Sequence, residues 1–128
     1  MPPEPLPLGV LLESGRHDRA HYAFVVATGA AALGRPVLLF ATNQGCRALL
    51  TDWSGLQDAD RDARLRAAGV AGLDELRAAA RELGIRMIAC EAGLRAEHID
   101  AAGLMPGVHV AGIATFLSEL GSGQIVTL

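Results

Sequence analysis

Two unbroken apolar runs constrain this chain most: Leu8-Gly9-Val10-Leu11-Leu12 and Val37-Leu38-Leu39-Phe40-Ala41. Neither alternates polar with apolar residues. A strand without a polar face is covered on both sides, as in parallel sheets. Between the two lies an alanine-rich helical stretch, Arg19 to Leu33, interrupted by Gly29 and ended by Gly34, with Pro36 two residues on. A third apolar run, Ile85 to Cys90, follows an amphipathic stretch over Leu73–Leu83. There Leu73, Leu76, Ala80 and Leu83 are expected to share one helical face, and Gly84 to stop the helix. Val108 to Val110 reads as a very short strand, Ile113 to Leu120 as a helix and Gln124 to Thr127 as a last strand. Strands alternating with helices predict an α/β fold: one three-layer α/β/α sandwich with a mainly parallel five-stranded sheet. The 128 residues suffice for one domain, 1–128, in which residues 1–6 are expected to be a flexible proline-rich lead-in.

The remaining segments are shorter. Thr42 to Gly45 reads as a loop entering a short helix, Cys46 to Leu50. Residues 51–60 read as an exposed loop, and Asp60 to Ala68 as helical turns laced with Arg and Asp on a solvated face. After Cys90, small residues lead into a helix expected to run from Ala92 to about Ala102.

Composition narrows the function classes. Hydrophobic residues make up 51% of the chain and aromatics 4%, an apolar balance that predicts some surface hidden in an oligomer. The net charge is −3 and the eleven basic residues, all arginine, form no basic cluster, so nucleic acid is not an expected partner. No run approaches the roughly 18 apolar residues of a membrane span. Met1-Pro2-Pro3-Glu4-Pro5 lacks the basic start and apolar helix of a signal peptide. A cytoplasmic location is therefore expected, with Cys46 and Cys90 as reduced thiols.

Cys90 is the leading candidate for chemistry. A thiol at the carboxyl end of a parallel strand, facing a helix amino terminus, stands where α/β folds place their sites. Backbone N–H groups there favour a thiolate. Glu91 opposes that charge, and Arg95 is near enough in sequence to offset it. The plain alternative is a small buried hydrophobe. Three post-strand loops are expected to converge on one sheet edge: Ser14 to Asp18, Thr42 to Cys46, and Cys90 to Gly93. They nominate Ser14, Gly15, His17, Asn43, Cys46, Glu91 and Gly93 as lining. Cys46, also past a strand end, admits a second possibility, a Cys46/Cys90 redox pair. His17, Asp18 and His21 read as cap and rim residues, because two histidines one turn apart lack a third metal ligand at a matching spacing. Gly9, Ser14 and Gly15 do not form a phosphate loop. No metal and no resident cofactor is expected.

Two blocks carry a family resemblance. Gly69-Val70-Ala71-Gly72-Leu73-Asp74-Glu75-Leu76, running through Glu82-Leu83-Gly84-Ile85-Arg86-Met87-Ile88-Ala89-Cys90, resembles the DsrE/DsrF-like sulfur-carrier proteins. So does Gly107-Val108-His109-Val110-Ala111-Gly112-Ile113-Ala114-Thr115-Phe116-Leu117, at the separation from Cys90 expected in that family. Two positions depart from its pattern: Gly93 stands where Ser or Thr is frequent, and His98 where glycine is common. The resemblance implies a small α/β sandwich assembling as a homo-oligomer (dimer, trimer or hexamer). It also implies that Cys90 carries sulfur as a persulfide between a sulfur donor protein and an acceptor protein, as a carrier or sulfurtransferase. An oligomeric binding or scaffold subunit with an inert Cys90 is the alternative outside enzymology.

Overall fold

The computed structural model describes residues 4–128, so part of the expected lead-in, residues 1–3, lies outside the described residues. At its other end the lead-in is held: Arg35 Nε donates to the Leu6 carbonyl at 3.0 Å. Five strands and five α-helices follow in chain order. They are β1 (Leu8–Leu12), α1 (His17–Ala32), β2 (Val37–Ala41), α2 (Arg61–Ala67), α3 (Leu73–Glu82), β3 (Arg86–Cys90), α4 (Glu91–Ala96), β4 (His109–Ala111), α5 (Ile113–Leu120) and β5 (Gln124–Thr127). A 3-10 helix occupies Asn43–Leu49 and a shorter one Ala101–Gly103.

The sheet order is β4-β3-β2-β1-β5 and every pairing is parallel. All strands therefore end at the same edge, and the loops after β1, β2 and β3 stand in a row along it. The apolar runs have the expected cause: each faces a helix layer on both sides. Val10, Leu12, Leu39, Ala41, Met87 and Ala89 pack in the large cluster with Ala20, Phe24 and Ala27 of α1 and Leu73 and Ala80 of α3. The alternate residues Leu38, Phe40, Ile88 and Cys90 pack in a smaller cluster with Phe116 and Leu120 of α5. That face carries one helix drawn very close. A Cβ on Gly9 would come within 2.7 Å of the Phe116 ring and 2.9 Å of Leu120, so only glycine fits beneath α5.

Several expectations need correction. The short helix expected from Cys46 to Leu50 is the 3-10 helix Asn43–Leu49, and Asp62, expected on a solvated face, is 3% exposed. The helix after Cys90 ends at Ala96, not near Ala102. His98 adopts a left-handed φ of 54° and its N–H donates to Arg95 O at 3.2 Å, while Ile99 N–H donates to Leu94 O at 2.9 Å. That pair of bonds is a Schellman stop, sealed by the buried side chains of Leu94 and Ile99. The residue in the glycine-type position is a histidine, so glycine punctuation does not reveal the stop. In α3, Leu83 is 44% exposed, whereas Arg77 is 7% exposed. The buried stripe shifts because the Arg77 guanidinium donates to the carbonyls of Ala48 at 3.1 Å, Leu50 at 2.5 Å and Thr51 at 3.3 Å. It closes the end of the 3-10 helix. Burial pulls the Arg77 guanidinium below its ordinary value, with Asp74 pulling the other way. Among the described residues no helix is long and apolar enough to cross a membrane.

Candidate functional site

Cys90 is the last residue of β3 and the N-cap of α4. Its side chain lies in the α5-face cluster and the residue is 7% exposed. Its Sγ accepts a hydrogen bond from the Gly93 N–H at 3.4 Å. Gly93 is glycine for a steric reason. A Cβ there would stand 2.5 Å from Asn43 N and 2.7 Å from Thr42 Oγ1. The first turn of α4 thus rests directly on the loop after β2. Glu91 turns outward and pairs with Arg95 at 2.7 Å, both well exposed. The carboxylate that opposes a thiolate has its own cation on the outer face of the helix.

Of the other nominated residues, Gly15, Asn43 and Gly93 meet at the loop after β2 on the sheet edge. Gly15 packs on Gln44, whose β-carbon a Cβ at Gly15 would meet at 2.5 Å. Gln44 Nε2 donates to Glu97 Oε2 at 2.5 Å, and Arg47 Nε donates to Gln44 Oε1 at 2.6 Å, linking this loop to the far end of α4. Asn43, between Thr42 and Gln44, has a left-handed φ of 51°. Ser14 and Gly15 line a cavity of about 390 Å³ with Arg16, Gln44, Gly55 and Gln57. Cys90 is not among its lining residues.

His17 belongs elsewhere. It is fully buried, not a rim residue. Its Nε2 lies 2.8 Å from Asp62 Oδ1, its ring stacks on His21 at 5.7 Å, and Trp53 lies 5.8 Å away. His21 is also buried, with Nε2 2.8 Å from the Ala71 carbonyl. Asp62, 3% exposed, accepts from the Leu73 N–H at 2.8 Å and stands 3.4 Å from Arg66 Nε. Burial pushes the Asp62 carboxyl up. The hydrogen bonds from His17 and Leu73 and the charges of His17 and Arg66 outweigh it, leaving the group below its ordinary 3.8. This cluster joins α1, α2 and the start of α3. Sequence spacing could not find it, because His17 and Asp62 are 45 residues apart.

Cys46 lies on the other side of the sheet from Cys90. It is fully buried in the α1/α3 cluster, and its Sγ donates to the Ala41 carbonyl at 3.4 Å. Burial pushes its thiol up to about 11; the Cys90 backbone opposes the rise and the Cys90 sulfur adds to it. Both cysteines are free. At pH 8 a thiol at about 11 holds roughly 100-fold less thiolate than one at its ordinary 9.0. Thiol titration of native protein at pH 8 is therefore expected to leave Cys46 unreacted on the timescale of an exposed cysteine, and unfolding to release it. Rapid reaction of Cys46 in the native state would contradict this placement.

Sequence reasoning placed Thr42 only within the loop Thr42 to Cys46, and it missed the buried polar contacts of Asp62 and Arg77. Arg77 alone had a local signal, a charged residue inside an apolar helical stripe. A family model matches residues 51–128, the segment that contains Cys90, α4, β4 and α5. The chain belongs to the DsrE/DsrF/DrsH-like family. Within and around that family, the chain is similar to the sulfur carrier protein DsrE2 of Allochromatium vinosum. The two are 26% identical over 150 aligned positions, covering 92% of this chain and 94% of the relative. Among solved structures, ychN protein from E. coli superposes with a TM-score of 0.73 at 9% identity, covering 96% of this chain and 99% of that one. The protein of unknown function MTH1491 from Methanobacterium thermoautotrophicum gives 0.64 at 16% identity, with the same coverage. At these identities the two structures share the fold of this DsrE/DsrF/DrsH-like chain.

Proposed function

We propose that this chain is an intracellular, single-domain sulfur carrier in which Cys90 relays sulfane sulfur as a persulfide from a donor protein to an acceptor protein. The observation that carries the reading is the Cys90 sulfur, which ends β3 at the carboxyl edge of a parallel sheet and takes the Gly93 N–H. The similarity to a protein named as a sulfur carrier supports it. The chemistry needs no external oxidant. The Cys90 thiolate attacks the outer sulfur of a donor persulfide, the donor S–S bond breaks, and its electron pair leaves with the donor as a thiolate. The outer sulfur, with its proton, is now bonded to Cys90. An acceptor thiolate attacks that same sulfur, and Cys90 departs as a thiolate stabilised by the Gly93 N–H. Homo-oligomer formation belongs to the same proposal. Val110, Ile113 and Leu117, on and beside α5 on the Cys90 face, are about half exposed.

The competing reading is an oligomeric scaffold subunit with an inert cysteine, and the low exposure of Cys90 is what favours it. The burial and elevated thiol of Cys46 argue against a Cys46/Cys90 redox relay. Intact-mass measurement after incubation with glutathione persulfide separates these readings. Wild type and Cys46→Ser are expected to gain about 32 Da, one sulfur, that a reductant removes. Cys90→Ser is expected to gain nothing. A wild type that takes up no sulfur, or a gain that persists in Cys90→Ser, would sink the assignment.

A further inference from the structure

Thr42 has no place in the relay as described so far. It follows β2 directly, and its backbone is extended, with φ −135° and ψ 163°. Its N–H donates to Leu12 O at 2.9 Å, so it continues the ladder one residue past Ala41. Ala41 pairs with Ala89 in the β2–β3 register, and the next step puts Thr42 beside Cys90. Side chains alternate along a strand. Leu38 and Phe40 lie on the α5 face with Ile88 and Cys90, so the Thr42 side chain stands on the face of the Cys90 sulfur. Gly93 ties the two together. Its N–H is bonded to Cys90 Sγ, and its missing Cβ would touch Thr42 Oγ1. Ala111, the neighbour of Cys90 on the other strand, offers no polar side chain.

Thr42 is half-buried, and among the described residues its hydroxyl makes no hydrogen bond, to Cys90 Sγ included. A persulfide changes the reach. The second sulfur stands about 2 Å beyond Sγ. When the persulfide is ionised, that outer atom carries the charge. We propose that the Thr42 hydroxyl is the hydrogen-bond donor for the outer sulfur of the Cys90 persulfide, while the Gly93 N–H holds the inner one. This inference rests on the persulfide reading of Cys90 and identifies which residue receives the cargo. No bond to Thr42 forms or breaks. The hydroxyl stabilises the loaded state and orients the outer sulfur toward the acceptor, so Thr42 is a positioning residue for the relay.

Equilibration against glutathione persulfide and glutathione at a fixed ratio, read by intact mass, tests it. Thr42→Val keeps the shape and removes the hydroxyl; Thr42→Ser keeps the hydroxyl. The ratio of loaded to unloaded protein is expected to fall about ten-fold in Thr42→Val, the low end for a hydrogen bond to a charged group. Thr42→Ser is expected to match wild type, with thermal melts alike. A loaded ratio unchanged in Thr42→Val, or lowered equally in Thr42→Ser, overturns the inference and leaves Cys90 loading intact. Wild type that takes no sulfur overturns the function and this inference together. Should Thr42→Val not fold, Thr42→Ala takes its place in the comparison, with the same outcomes.

Discussion

Asp62→Ala is expected to destabilise the domain by about 3 kcal/mol, because truncation leaves buried donors unsatisfied at about 1–3 kcal/mol each. Those donors are His17 Nε2 and the Leu73 N–H, both 2.8 Å from Asp62 Oδ1. His17 is fully buried and its Nδ1 already lacks a partner among the described residues, so truncation leaves its ring without the bond that holds it. For a chain of this size the loss amounts to about 10 °C in melting temperature. Asp62→Asn, which keeps an acceptor, is expected to lose less. The effect carries a pH signature. The folded carboxyl lies below its ordinary 3.8, so the unfolded state binds the proton first as pH falls. The contribution of Asp62 is full above the unfolded value and disappears as pH drops through the folded one. The stability gap between wild type and Asp62→Ala is thus expected to begin narrowing as pH falls below roughly 4 and to go on narrowing through the lower folded value. Equal melting temperatures at pH 7 would show that the cluster does not contribute.

Phe116→Ala is expected to cost about 3–5 kcal/mol, the range for deleting a buried aromatic ring. Phe116 and Leu120 are the buried residues by which α5 holds the sheet, and the Phe116 ring stacks on Phe40 with centroids 5.0 Å apart. Native domains have only about 5–15 kcal/mol in hand. The large effect follows from the layering: among the described residues α1 and α3 share one face, while α5 alone packs on the face where Cys90 lies. The cavity would open beside that cluster, so alkylation of Cys90 is expected to quicken as urea resistance drops. Leu117→Ala, at 48% exposure on the same helix, is the control and is expected to stay within about 0.5 kcal/mol. Equal losses in the two variants would mean that α5 is not anchored through Phe116.

Local pattern carried much of the architecture. Five-residue apolar runs between glycine-stopped helices dictate strands covered on both faces, and such strands are parallel. The element boundaries for β1, β2, α5 and β5 follow from that pattern, and the strand-end position of Cys90 follows with them. The stop of α4 at Ala96 does not, because His98 takes a conformation that sequence signals assign to glycine. Nor does the burial of Arg77, which depends on three carbonyls more than twenty-five residues away in the chain.

What the chain determined by itself is therefore the set of elements and the residue that ends the third strand. Hydrophobic periodicity and turn chemistry act over a few residues and are written locally. What the tertiary structure decided is which side chains share a face and which polar atoms meet. It drew His17 away from the edge and onto Asp62, put Cys46 on the opposite side of the sheet from Cys90, and set Thr42 beside Cys90. Those outcomes are fixed by strand register and helix docking, where a shift of one residue exchanges the two faces. Register belongs to pairs of distant segments, which is why no window of sequence contains it.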